Sequence, residues 1–587
     1  MGMQSRDWFS NNRFGVFCHP RPDPRGTGPE LSRESFCCNG TDRDRSTMQT
    51  FSFKNALREN PNSRLISWTL LLAFLLRFLT LLRNDPVAFD SAVYFEMAEL
   101  MRAGHWSASL AHPYPPLFPL LIAGLQQVGL SAESAGLLLA LACDLLVLFL
   151  LVAITRRIAG DRAALGAAFL WAIQPYAVRL GIRALSDAPT AFFVALSLWS
   201  GLVALEKRKV TWAIGAGAAS GLAYLARPEG IEPALALTGL YLFKSSARLH
   251  RRIGWAVAPL VGWAIVASPY VAYLSIESGS LTLSKKKSPA AMLRSMVASD
   301  APNATTETAT APANIPAPRQ PEAKRQENLS AELSAPHSVE KPNESGMRRM
   351  LWNVYVFQRP LVNGIHPIVL LFAAFAPWYF QGRKLRNDPR ATALLVSLLV
   401  LHFAVLVGVA LITSPSYLGG HHFFLMLLYL LPFSGAGLAV IIDWLQKQVP
   451  SLAWLPAGIL TLATLATIPS SVLRSPERGA ILRQGGIWIR DHSSSRPVVL
   501  TDAAKLTYHA GAQRVPFQGD LSEVVPRALG QGAQWIAFYS DGIDEISRSL
   551  QPQLAAGALA LAAEFSERSG NRVYYLRIYR LQKTTQQ

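Results

Sequence analysis

Apolar runs of the length that crosses a lipid bilayer constrain this chain more than any motif in it. About 20 apolar residues span the hydrocarbon core as a helix. Eleven candidate runs fall near 65–82, 135–155, 163–179, 188–205, 211–226, 230–243, 253–275, 366–381, 391–413, 421–442 and 453–472. Inside lipid every backbone amide and carbonyl must be paired within its own segment, so runs of this kind fold as helices. The expected fold class is mainly α: a polytopic membrane protein of about 11 transmembrane helices with a small C-terminal α/β soluble domain. Composition agrees, because 50% of the 587 residues are hydrophobic, only 16% are charged, and mean hydropathy is +0.22. Soluble domains carry roughly a quarter charged residues, which argues against a soluble enzyme of this size.

Charge sets the orientation. Segment 116–130 (PLFPLLIAGLQQVGL) is short and holds paired glutamines, so it is read as an interfacial or re-entrant helix. With that choice every second loop is basic: Arg156, Arg157 and Arg162; Lys207, Arg208 and Lys209; Lys244, Arg248, Arg251 and Arg252; Arg383, Lys384, Arg386 and Arg390. These are cytoplasmic under the positive-inside rule, which places the N-terminus in the cytoplasm and the other loops outside. The same rule accounts for the net charge of +18, so no nucleic-acid partner is expected. The four cysteines, Cys18, Cys37, Cys38 and Cys143, have neither metal-ligand spacing nor the pattern of a disulfide framework.

Three regions follow. Residues 1–60 are polar and irregular and are expected to be a disordered extension; translation starting at Met48 instead of Met1 is left open. Residues 61–475 form the membrane domain, including a first outer loop at 83–134 and a low-complexity outer loop at 284–350, expected to be disordered. The Asn-X-Ser/Thr triplets at Asn303, Asn328 and Asn343 in that loop read as chance matches in a polar tract. Residues 480–583 read as an extracytoplasmic α/β domain, with strand-like RPVVLTDA, AQWIAFYS and NRVYYLRIYR and helical patterns around 521–530 and 551–564.

Ionisable groups near the membrane are costly and therefore functional candidates. The first outer loop offers Asp90 and Tyr94 in FDSAVY, a helical stretch with Glu96 and Glu99, and then HPYPP from His112. Asp90 fits either a general base or the N-cap of a helix beginning at Ser91. The second outer loop offers Arg179, Arg183 and Asp187, and the third Arg227-Pro228-Glu229. Guanidinium groups at this depth suit a phosphate; an Arg183–Asp187 pair at helical spacing is the bland alternative. His421 and His422 open a late span, although adjacent residues on a helix diverge and make a poor shared site. Lys285 can reach an anionic headgroup or can simply be solvated. The Gly215…Gly221 run lies within an apolar segment and reads as close helix packing.

In order along the chain, FDSAVYFEMA, HPYPPLFPLLIAG, RRIAGDR, IRALSDAPTAFF and GLAYLARPEG resemble the bacterial membrane glycosyltransferases of the GT-C class, family 39. That family includes the protein O-mannosyltransferases and the aminoarabinose transferase of lipid A, and the resemblance covers roughly 65–475. It implies an inverting transferase that takes a sugar from a polyprenyl phosphate on the outer face. The family's catalytic acid falls on Asp90 and the acidic position of the second outer loop on Asp187. Its basic phosphate-binding position, often in a Tyr-x-x-x-Arg-Tyr setting, reads YLGGHHFF here, so His421 or His422 has to substitute.

The expected chemistry is transfer from a polyprenyl-phosphate sugar to a lipid, glycan or protein acceptor, with Asp90 as base. Asp187 is the second catalytic acid, and Tyr94, Arg183, Arg227, Glu229, Lys285, His421 and His422 bind substrate or its phosphate. No cofactor is required, though a divalent metal held by these acids and histidines is compatible with the sequence. The expected location is the bacterial inner membrane. The competing class is a multi-span transporter or lipid flippase, which favours inverted repeats and midplane charges that the sequence lacks.

Overall fold

A computed structural model of the chain describes residues 61–244, 249–285, 358, 360–382, 389–412, 419–452, 454–473, 479–517, 521–569 and 572–582. The expectations for 1–60, Cys18, Cys37, Cys38, the three Asn triplets and most of 284–350 lie outside the described residues.

Helix α1 (Pro61–Leu81) carries the first apolar run, and α2 (Phe89–Arg102), α3 (Trp106–Leu110) and α4 (Leu117–Gln126) fill the loop after it. At 10 residues, α4 rises only about 15 Å, half the hydrocarbon thickness, as expected of a non-spanning segment. Helix α5 (Ala132–Ile173) is 42 residues long and breaks at Gly160, where φ is 79° and ψ −176°. A side chain is strained at that φ, so glycine lets the chain reverse. The runs 135–155 and 163–179 thus become antiparallel arms, with the Trp171 indole N–H of the second donating to the Asp144 carbonyl of the first at 3.3 Å. The second arm continues after Pro175 as α6 (Pro175–Leu180).

Next come α7 (Asp187–Lys207), α8 (Val210–Ala226), a 3-10 turn (Pro228–Ile231), α9 (Glu232–Lys244) and α10 (Leu249–Ser278). The expected span at 366–381 is interrupted at Phe375, giving α11 (Pro367–Ala374) and α12 (Ala376–Gly382). Helices α13 (Pro389–Ile412), α14 (Phe424–Gln448) and α15 (Leu455–Ser471) complete the set. All eleven runs are helical. Among the described residues, six helices are long and apolar enough to cross a membrane, one of them α5 with its two arms; Val210–Ala226, Pro367–Gln381 and Leu455–Ser471 are shorter apolar helices. This is an integral membrane protein.

Packing explains the glycine run. A Cβ on Gly217 would lie 1.9 Å from the Pro259 carbonyl oxygen, and one on Gly262 2.0 Å from that of Ile214, so α8 and α10 touch backbone to backbone. The basic turns meet at one end of the bundle. Arg157 pairs with Glu206 at 2.6 Å and Arg162 with Asp443 at 2.5 Å, and the Tyr379 hydroxyl donates to the Ala159 carbonyl. Arg77 of α1 and Asp144 of α5 form an enclosed ion pair between spans, 2.5 Å apart, with Arg77 also donating to the carbonyls of Ala73 and Ala172.

The C-terminal domain opens with α16 (Ala480–Asp491) and continues β1 (Val498–Leu500), α17 (Ala504–Ala510), β2 (Gln513–Val515), α18 (Val524–Gly530), β3 (Trp535–Ser540), α19 (Ile543–Ser549), α20 (Gln551–Ala555), β4 (Leu559–Ser569) and β5 (Arg572–Leu581). Its sheet has the order β2-β1-β3-β5-β4, parallel across the first three strands and antiparallel across the last three. The helix expected at 551–564 ends at Ala555, and LALAAEFSERS becomes β4. Its Ala, Leu and Glu favour a helix, but the ladder with β5 overrides that preference, as tertiary context commonly does.

Candidate active site

Three loop segments and the C-terminal region meet at the end of the bundle opposite the basic turns. Helix α2 begins at Phe89, not Ser91. Ala88 is its N-cap, and the Ser91 hydroxyl accepts the Ala88 N–H at 2.9 Å. Asp90 is therefore not the cap. It stands exposed in the first turn, where the helix dipole favours a carboxylate, and its Oδ1 accepts the Tyr114 hydroxyl at 2.9 Å.

Tyr94 lies one helical turn further on, so it faces the same way. It is buried, with ring centroids 5.0 Å from Tyr114 and 5.2 Å from Phe118, and its hydroxyl is 3.0 Å from the Ser186 hydroxyl. Burial, reinforced by the carboxylate of Asp90, raises the pKa of both Tyr94 and Tyr114, so both remain neutral hydrogen-bonding groups.

Ser186 precedes Asp187, the first residue of α7. Asp187 is buried, and its Oδ1 receives Nη1 of Arg227 at 2.6 Å. Arg227 ends α8 in extended backbone and sets Nη2 3.5 Å from Oε1 of Glu229. Asp90, Tyr114, Tyr94, Ser186, Asp187, Arg227 and Glu229 thus make one continuous polar and aromatic chain across three loops. Arg183 lies half-buried in the short turn just before it.

Glu229 is also within electrostatic reach of a second enclosed cluster. Glu232, at the start of α9, meets His402 of α13 with Oε1 2.8 Å from Nδ1, and the Tyr429 hydroxyl donates to its Oε2 at 3.4 Å. His402 Nε2 lies 2.8 Å from the carbonyl oxygen of His422. His421 and His422 occupy a 3-10 turn (Gly420–Phe423), and their rings are 3.9 Å apart. The expectation that these neighbours diverge is corrected: it holds for an α-helix, and a tighter turn stands here. Lys285 is placed apart from the chain, 2.6 Å from Glu277 and 5.4 Å above the Tyr273 ring. It reaches His112 electrostatically, and there burial, with Arg514 and Lys285 adding to it and Glu96 opposing, lowers the imidazole pKa.

Tyr114, Ser186, Glu232, His402 and Tyr429 were not singled out from sequence. Tyr114 sits in HPYPP and Ser186 beside Asp187, so proximity to chosen residues was their only signal. Glu232 and His402 are 170 residues apart, and no spacing joins them. Among the described residues, no three His, Cys, Asp or Glu side chains converge as a metal site.

Residues 112–273 match the family model described as dolichyl-phosphate-mannose-protein mannosyltransferase. The match includes Tyr114, Asp187, Arg227, Glu229 and Glu232 and begins after Asp90. Over those residues the chain is similar to that mannosyltransferase family. Among solved structures, the chain is similar to the oligosaccharyltransferase of Archaeoglobus fulgidus in complex with zinc and sulfate, at 14% identity over 81% of this chain and 67% of that one, with a TM-score of 0.47. It is also similar to ArnT of Cupriavidus metallidurans, at 14% identity over 87% and 98% with a TM-score of 0.41 in the apo state. ArnT bound to undecaprenyl phosphate gives 15% identity over 87% and 97% with a TM-score of 0.38. No curated protein matches the chain.

Proposed function

We propose that the protein transfers a sugar from a polyprenyl-phosphate donor to a lipid, glycan or protein acceptor at the outer face of a bacterial inner membrane, with its N-terminus in the cytoplasm. The observation that carries this reading is the chain from Asp90 through Tyr114, Tyr94, Ser186 and Asp187 to Arg227 and Glu229. It puts an exposed carboxylate, held by a neutral tyrosine, at the bundle end away from the basic turns. The family match supports the same chemistry.

In this reading Asp90 takes the proton of the acceptor O–H or N–H. The acceptor atom bonds the anomeric carbon with inversion as the carbon–oxygen bond to phosphate breaks, and that bond's electron pair leaves with the polyprenyl phosphate. Arg183, Arg227, Lys285, His421 and His422 are the basic groups available to the departing phosphate, and Tyr94 and Glu229 fix the loops that carry them. Asp187 holds Arg227 in place.

The test is release of polyprenyl phosphate by the purified protein, starting with polyprenyl-phosphate mannose and extending to other polyprenyl-phosphate sugars, with envelope extract as the acceptor source. Asp90→Asn should cut turnover roughly 10²–10⁴-fold while donor binding persists. Near-normal turnover in that variant removes Asp90 from the chemistry, and release from no donor removes the transferase reading.

A further inference from the structure

We propose that the C-terminal domain completes the active site by gripping α2 on both sides of Asp90, with Asp85 and Glu96 as positioning residues. This rests on reading Asp90 as the base.

Two cations and a histidine of the C-terminal domain converge on Asp85. Lys505 Nζ lies 3.0 Å from Oδ2, Arg483 Nη1 3.8 Å from Oδ1 and His509 Nε2 3.9 Å from Oδ2. Asp85 also accepts the Val87 N–H at 3.0 Å, which shapes the turn into α2. Beyond Asp90, Glu96 pairs with Arg514 at 3.0 Å. Aromatic contacts fill the space between these pairs: Phe95 with Tyr508, centroids 4.9 Å apart, and Phe89 with Tyr539 at 6.0 Å. Lys505, Tyr508 and His509 stand at i, i+3 and i+4 on α17, so one helix face presents all three to the first outer loop.

The energetics make this more than a tether. Lys505 keeps only 5% of its side chain exposed, and a lysine is rarely enclosed unless paired. Burial of Asp85 works against its charge, but Lys505 and the Val87 N–H outweigh burial and hold its carboxyl below the ordinary value, so Asp85 stays ionised at neutral pH. Asp85 and Glu96 flank Asp90 in sequence, so a rotation of α2 that displaces the base must strain a pair on one side or the other. Misplacing a reacting group by about 1 Å costs on the order of 10²-fold in rate.

The experiment uses the full chain in lipid nanodiscs and polyprenyl-phosphate mannose as the first donor. Asp85→Asn, Glu96→Gln and Lys505→Met should each lower kcat about 10- to 100-fold with the donor KM nearly constant. Hydrogen exchange should quicken in 86–102 and stay slow in α13 and α14. Lys505→Arg should keep most of the turnover, and the exchanged pair Glu96→Arg with Arg514→Glu should recover what Glu96→Gln loses. Wild-type kcat with faster exchange in 86–102 overturns the inference. So does a loss of protection throughout the membrane domain, which marks a merely structural role. Should Asp90→Asn stay active, the catalytic reading itself fails; should it be inactive while the grip variants turn over normally, only this inference fails.

Discussion

The two ends of the helical bundle hold their charges in opposite ways. At the basic end the pairs are wet: Arg157 and Glu206 keep 26% and 43% of their side chains exposed, and Arg162 and Asp443 keep 68% and 25%. Such pairs contribute about 0–1 kcal/mol and are screened by salt. At the opposite end Arg227 and Asp187 keep 16% and 6%, and Asp187 is tied to Arg227 of the next loop. One end carries pairs open to water, where geometry matters little. The other encloses its pair, where partner and position are fixed together.

Removing one buried partner should separate the ends most. Arg227→Met leaves Asp187 enclosed with its ion partner gone, and breaking a buried pair costs about 3–5 kcal/mol. Thermal unfolding of the solubilised protein should show this, with much of the loss recovered in Arg227→Met/Asp187→Asn. A cost under about 1 kcal/mol would make the two ends alike.

A smaller effect is expected from pH at the domain contact. Burial, with Lys505, Arg483 and Arg490 adding and Asp85 opposing, pushes the His509 pKa from 6.5 down to about 4. Between those values the unfolded chain binds the proton that the folded one refuses, so stability falls as pH drops from 6.5 to 4 and is full above 6.5. Exchange protection in α2 and α17 across that range measures it, and His509→Gln should flatten the dependence. An unchanged slope in that variant would assign the loss to another group.

The smallest effect belongs to the wet end. Arg157→Gln and Glu206→Gln should each shift stability by less than about 1 kcal/mol, and less still at high salt. A larger, salt-insensitive loss would show that this end, too, is built on geometry.

The sequence made the helices legible because hydrocarbon leaves a chain few options, and all eleven apolar runs are helical. Asp90, Tyr94, Asp187, Arg227 and Glu229 were legible for a related reason: a polar group kept at a membrane boundary stands out. What joins them was not legible. Tyr114 looks like any tyrosine in a proline-rich loop until its hydroxyl meets Asp90. Arg77 and Asp144 sit in separate apolar runs, and only the hairpin at Gly160 brings the arms of α5 together beside α1. Arg183 and Asp187 invited pairing by spacing, yet it is Arg227 of the next loop that takes Asp187. Strand β4 was misread because its alanines and glutamates signal a helix, although the strand it pairs with, β5, follows directly in the chain.

The contact between Glu96 and Arg514 spans 418 residues. A ribosome adding about 5–20 residues per second needs roughly 20–80 s to get from one to the other. Throughout that interval the first outer loop is already made, and the domain that braces it does not yet exist. A nascent chain, or one cut short before residue 514, therefore lacks the brace on Asp90, and that brace forms only after Arg514 has been synthesised. Synthesis order alone delays the assembled site until Arg514 has been made.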